Sequence, residues 1–217
     1  AVAFTAAGNG KYTFSMPSSP VNVAVSFRPE SDTDLPFLDV AQDSWYYDAV
    51  SYVYRHGLMA GTSDTIFAPN ANLTRAMMAT VLWAMEGSPV VNYAVTYTDV
   101  SGDAWYAEAV RWATSEGVVS GVGDGRFSPD SPITREQMAV MLYAYAVHKG
   151  YDTSHDGAAA RSFHDYDAIS DWARTAMEWV VDAGMIGGKP GNILDPGGTA
   201  TRAEVATILM RFCQLDR

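Results

Sequence analysis

The sequence predicts a mainly α-helical fold, with three helix–loop–helix repeats behind a short N-terminal β segment. Three observations carry this. From Phe37 onward the chain matches itself without a gap when 60 is added to each position, and a third copy lies 67 beyond the second. Within each copy, apolar residues recur at helical spacing on either side of a glycine-rich loop. Ahead of the copies, apolar residues alternate one by one, which is strand periodicity.

Length and composition bound the rest. The 217 residues suffice for one good-sized domain or two small ones, and 48% hydrophobic content with twelve Tyr and six Trp indicates a packed core. No apolar run is long enough to span a membrane. The first residues, Ala1 to Thr5, lack the basic start and apolar stretch of a signal peptide, so the sequence reads as a cut from a longer chain. The net charge of −11 argues against nucleic acid, whose binders cluster Lys and Arg on phosphates. With three lysines against eleven arginines, an anionic ligand has to be captured by local geometry, not by a long-range field. A lone Cys213 excludes an internal disulfide and reads as a small core residue.

Residues 1–30 form the β segment. Tyr12, Phe14 and Met16 alternate, as do Val21, Val23, Val25 and Phe27, with Pro17 and Pro20 between the runs. Two strands cannot hold a core alone, so these are expected to close a β-module lying upstream. Residues 31–36, rich in Ser, Asp, Thr and Pro, read as a linker.

The repeats follow at 37–88, 97–150 and 163–213. Asp39, Trp45, Gly57, Gly61, Thr74 and Arg75 align with Asp99, Trp105, Gly117, Gly121, Thr134 and Arg135. In the third copy Trp172, Gly184, Gly188, Thr201 and Arg202 take these places, with Asp165 offset by one residue. A first helix is predicted from each tryptophan to the first glycine, which suits a left-handed C-terminal stop. Trp105 and Trp112 are seven apart, as are Trp172 and Trp179, so each pair is expected to share one face, with Trp45, Trp105 and Trp172 partly buried and an edge lining a groove. The loop then runs to Thr74, Thr134 or Thr201, each a predicted N-cap. Gln137 and Glu204 complete a capping box, and Met77 cannot. Arg75, Arg135 and Arg202 thereby fall at the first helical position, beside backbone N–H groups that attract anions. Two helices of about a dozen residues bury no face alone, so the copies pack on one another, either as a linear stack or as a closed bundle.

The set Phe/Tyr-x-Asp-Val, Trp-Tyr, Gly-x-x-x-Gly, Phe-x-Pro and Thr-Arg-x-Glu/Gln, in three copies across 37–213, resembles the S-layer homology domain. The resemblance implies a pseudo-threefold, largely helical spindle. It also implies an extracellular, cell-wall or S-layer location, and non-covalent anchoring of surface proteins to an anionic, pyruvylated secondary cell wall polysaccharide. Ligand would lie in grooves between repeats. The candidate binding residues are Arg75, Arg135 and Arg202, with Trp45, Trp105, Trp172, Asp39, Asp99, Asp165, Gly61, Gly121 and Gly188. Arg135, which has an intact capping box, ranks first. Arg75 has no box partner in its own copy. Arg202 is grouped with the altered loop Gly187 to Gly191, where Leu194 also replaces the usual Phe.

Each reading has an alternative. The arginines could instead bridge acids on adjacent repeats, and Arg135→Ala is the variant expected to separate the two, weakening wall binding without unfolding if the arginine serves the ligand. The aspartates could cap the first helix or hold an arginine. The repeats could form a protein-interaction or lattice-assembly module. Catalysis finds no support: every notable residue recurs threefold, no acid pair or nucleophile–His set stands out, and the four His residues lack metal-ligand spacing. Asp124-Gly125 lacks the alternating oxygens of a calcium loop. No cofactor and no metal are expected; the other partners are the upstream domains of the same polypeptide.

Overall fold

The computed structural model describes residues 5–8, 11–13 and 35–215, in two separate units. In the first unit, strands β1 (Thr5–Gly8) and β2 (Lys11–Thr13) pair antiparallel, with Ala6 opposite Tyr12 and an irregularity between Ala6 and Gly8. The predicted alternations through Phe14, Met16 and Val21 to Phe27 lie outside the described residues, as does most of the linker.

The second unit contains α1 (Tyr47–Arg55), α2 (Arg75–Met85), α3 (Ala107–Ser115), α4 (Arg135–Lys149), α5 (Ala158–Arg161), α6 (Arg174–Asp182) and α7 (Arg202–Cys213). Two single 3-10 turns, Tyr166–Ala168 and Asp171–Ala173, precede α6. The first helices stop where the sequence places a glycine: Gly57, Gly117 and Gly184 have φ of 67°, 69° and 69°, a conformation costly for any residue with a Cβ. The second helices start at their threonines. Both predicted capping boxes form, and Thr74 still accepts from the Met77 N–H without a return bond.

The repeats close into a ring. The second helix of each repeat packs on the first helix of the next: α2 on α3, α4 on α6, and α7 back on α1. At the centre the Leu73 N–H donates to the Ala200 carbonyl, Ala200 to Ile133, and Ile133 to Leu73, at 2.9–3.1 Å. These three residues are fully buried, so the cycle leaves no unpaired backbone group on the axis. A linear stack would have left α1 and α7 each with an apolar face open to water; closure buries Val50, Val53, Ile208 and Leu209 together in one core.

The expectation that each pair of tryptophans shares one face fails. Trp112 and Trp179 are buried at 3% and 2% exposure, whereas Trp45, Trp105 and Trp172 are 67%, 64% and 60% exposed. The seven-residue spacing implies a shared face only if both rings ride on the same helix. Helices α1 and α3 begin two residues after the tryptophan, and Trp172 lies in a 3-10 turn, so the helical phase does not extend back to these rings.

Candidate ligand-binding grooves between repeats

The helix-start arginines are where ring closure meets the candidate site. Each guanidinium reaches out of its own repeat into the next. Arg75 donates through Nε to the Phe127 carbonyl at 2.8 Å and through Nη2 to Ser120 at 2.9 Å. Arg135 does the same to Leu194 (2.7 Å) and Gly187 (2.9 Å), and Arg202 to Phe67 (2.8 Å) and Ala60 (2.6 Å). All three are buried, at 4%, 3% and 6% exposure. Burial pulls their pKa values down, but a guanidinium remains charged near neutrality. Arg75 and Arg202 also lie over the Phe127 and Phe67 rings, at 4.8 and 4.6 Å from the centroids. Leu194 gives Arg135 no such ring.

This geometry changes two expectations. The N–H groups at the helix starts are not open to an anion. Arg75, Arg135 and Arg202 donate their backbone N–H to Ser131, Gly198 and Ala71, and the following residues donate to Pro129, Pro196 and Pro69, all in the adjoining repeat. The threonine side chains take the third N–H, so the donors that a helix start leaves unpaired are consumed by ring closure. The loop Gly187 to Gly191 belongs with Arg135, not Arg202, because each arginine works on the repeat after its own. Arg202 instead meets the first-repeat loop at Ala60.

Two grooves open along these seams. One, of about 490 Å³, is lined by Arg75, Val118–Val122, Gln137, Met141 and Trp172. The other, of about 360 Å³, is lined by Arg135, Gly188, Lys189, Glu204, Arg211 and Trp45. Each therefore takes its arginine from one repeat, its loop and helix wall from the next, and its exposed tryptophan from the third. Arg75, Gly121 and Trp172 come together in the first groove, and Arg135, Gly188 and Trp45 in the second. The equivalent Arg202, Gly61 and Trp105 are related to them by the same pseudo-threefold rotation. The glycines have a packing reason as well: a Cβ on Gly121 would stand 2.6 Å from the Arg126 carbonyl and 2.9 Å from the Tyr97 ring, and Phe37 and Phe163 crowd Gly61 and Gly188 likewise.

The aspartates do other work. Asp39 accepts from the N–H groups of Phe67 and Ala68, Asp99 from Phe127 and Ser128, and Asp165 from Leu194 and Asp195, at 2.7–2.8 Å. Ala68, Ser128 and Asp195 each have φ near +55°, so the carboxylates hold a loop turn that the backbone resists. None caps a first helix; the starts of α1, α3 and α6 have no side-chain cap. Neither groove includes them, although Asp99 borders a separate shallow depression with Arg126.

Sequence reasoning missed the groove walls, chiefly Gln137, Met141, Glu204 and Arg211. Gln137 and Glu204 were legible only as helix caps, since their second neighbour is the arginine of the preceding repeat. The repeat phase was the available signal, and it needed the direction of ring closure to be used.

Comparison with known proteins agrees with this architecture. The S-layer homology domain matches at residues 36–79, 96–139 and 162–206, more than half of the sequence. The chain belongs to the S-layer homology domain family. Its relatives include an amylopullulanase of Thermoanaerobacterium thermosulfurigenes, 33% identical over 81% of this chain and 9% of that protein. An S-layer protein of Bacillus thuringiensis subsp. finitimus is 29% identical over 87% of this chain and 22% of that protein. A cellulosome-anchoring protein of Acetivibrio thermocellus is 29% identical over 70% of this chain and 34% of that protein. The chain thus spans about a third or less of each of these much longer relatives. Among the described residues, no helix is long and apolar enough to cross a membrane.

Proposed function

We propose that this S-layer homology triplet is a non-catalytic module that anchors an extracellular surface protein to the cell wall. It does so by binding an anionic, pyruvylated wall polysaccharide in the grooves between repeats. One observation carries the reading: each groove joins a buried guanidinium, a glycine-containing loop and an exposed indole drawn from three different repeats. A ketal-linked carboxylate matches the remaining guanidinium nitrogen, and an indole 60% or more exposed offers a flat apolar face to a sugar ring. The three-repeat ring presents such sites more than once, and a repeating polymer that engages them together is held far more tightly than by one site. The S-layer and cellulosome-anchoring relatives support the anchoring role, and relatives with enzyme names share this module over only a small part of their length.

The test is co-sedimentation with purified cell walls before and after removal of their polysaccharide, and with carboxyl-reduced polysaccharide as competitor. The module should pellet with intact walls only, and the reduced polymer should compete poorly. Trp172→Ala should weaken pelleting while leaving the melting temperature unchanged, because the ring is mostly exposed. Retention on stripped walls would instead favour a protein-binding or lattice-assembly role.

A further inference from the structure

Resting on the reading that these grooves hold an anionic glycan, we propose that the third residue of each second helix sets the anion affinity of the preceding repeat's arginine. Gln137 thereby makes the Arg75 groove the tighter of the two, and Glu204 attenuates the Arg135 groove.

The residue at this position has two neighbours. Towards its own helix it closes the capping box: the Thr134 N–H donates to Gln137 Oε1 at 3.4 Å, and the Thr201 N–H and hydroxyl both donate to Glu204 Oε2 at 2.7 and 3.1 Å. Capping fixes the side chain, so what it presents to the groove is held in place. Towards the groove, Glu204 presents Oε1 at 3.7 Å from Arg135 Nη1. Nε and Nη2 of Arg135 are already committed to carbonyls, so Nη1 is the nitrogen left for a ligand, and a resident carboxylate lies beside it. An incoming carboxylate has to share or displace that partner.

The first groove differs at this point. Nε and Nη2 of Arg75 are committed in the same way, but the capping residue is the neutral Gln137. Among the described residues, Arg75 is the only ionised side chain lining the groove, and no ion pair to Arg75 forms. A cation with no resident carboxylate beside it attracts an anion more strongly than one already paired. Of the second groove's other charges, Lys189 pairs with Asp195 at 2.6 Å, and Arg211, which donates to the Met185 carbonyl at 3.0 Å and keeps its charge, shares the lining with the acidic Asp48. This order reverses the one that the intact box of Arg135's own helix gives, because the deciding residue sits on the neighbouring repeat.

The two residues can be exchanged without loss of the cap, since each box already exists in this chain. The experiment labels the protein with 5-fluorotryptophan and follows the six indole signals by ¹⁹F NMR during titration with polysaccharide released enzymatically from purified bacterial cell walls. Trp172 reports the Arg75 groove and Trp45 the Arg135 groove. In the unsubstituted protein Trp172 should respond at about fivefold lower polysaccharide concentration than Trp45, the scale of one partly exposed ion pair. Gln137→Glu should raise the Trp172 midpoint by about fivefold, and Glu204→Gln should lower the Trp45 midpoint by about fivefold, with thermal melts confirming both folds. Indoles that move with midpoints unaffected by either exchange would overturn this inference alone. If neither indole moves at any concentration, the groove reading on which it rests falls with it.

Discussion

Replacing Arg202 by alanine removes the side chain that ties the last repeat to the first. Its Nε and Nη2 satisfy the Phe67 and Ala60 carbonyls at 2.8 and 2.6 Å, at a site 6% exposed. Hydrogen bonds from a charged donor contribute about 1.5–3 kcal/mol each, and both carbonyls lose their guanidinium partner. Their sum, with the lost contact to the Phe67 ring, gives a destabilisation of about 3–6 kcal/mol. For a unit of this size that lowers the melting temperature by roughly 10 °C. Thermal unfolding followed by circular dichroism measures it. Arg202→Lys should recover only part of the loss, since an ammonium cannot present the two-pronged fork. The partners are carbonyls, so the loss should persist in high salt, whereas a network of surface ion pairs would be screened. A melting temperature within about 2 °C of the unsubstituted protein would refute the claim that the arginines close the ring. By the same reasoning Arg135→Ala carries a stability cost besides any effect on binding, so binding by that variant has to be read together with its melt.

Two further outcomes follow from the same contacts. Burial alone would raise the Asp99 pKa, but N–H donation from Phe127 and Ser128, with Arg126 nearby, more than offsets this and holds the carboxyl below its ordinary 3.8. A depressed folded-state pKa means that the stabilisation is complete above pH 3.8 and is lost as pH falls through the folded value. Acid titration of stability should therefore show a transition in that range that Asp99→Asn diminishes; an unchanged transition would contradict it. Met77→Gln supplies the missing half of the first repeat's capping box and should raise stability by about 0.5–1 kcal/mol, seen as a melting temperature higher by roughly 2 °C. No gain would mean that ring closure, not capping, fixes the start of α2.

Much of this molecule was legible in the sequence because its determinants are local. The left-handed glycines at 57, 117 and 184, the threonine caps and the two capping boxes all depend on residues within a few positions of one another. The unreadable part was set by contacts between repeats. The helix-start N–H groups looked available because their acceptors, such as Ser131 for Arg75, lie some fifty residues away in the next repeat. The shared face of the paired tryptophans was misread because their spacing fits a helix that in fact begins just after the first ring. The arginines were marked as candidate ligand contacts; their partners within the chain are backbone carbonyls, which every residue carries and no motif displays. Glu204 and Gln137 illustrate both cases at once: the capping role was visible, and the place beside the neighbouring arginine was not.

Hydrogen–deuterium exchange with and without released wall polysaccharide tests whether ring closure creates the proposed binding sites. Added protection is expected in the loops 117–122 and 185–189 that wall the two grooves. Protection confined to other surfaces, or no change at saturating polysaccharide, would contradict it.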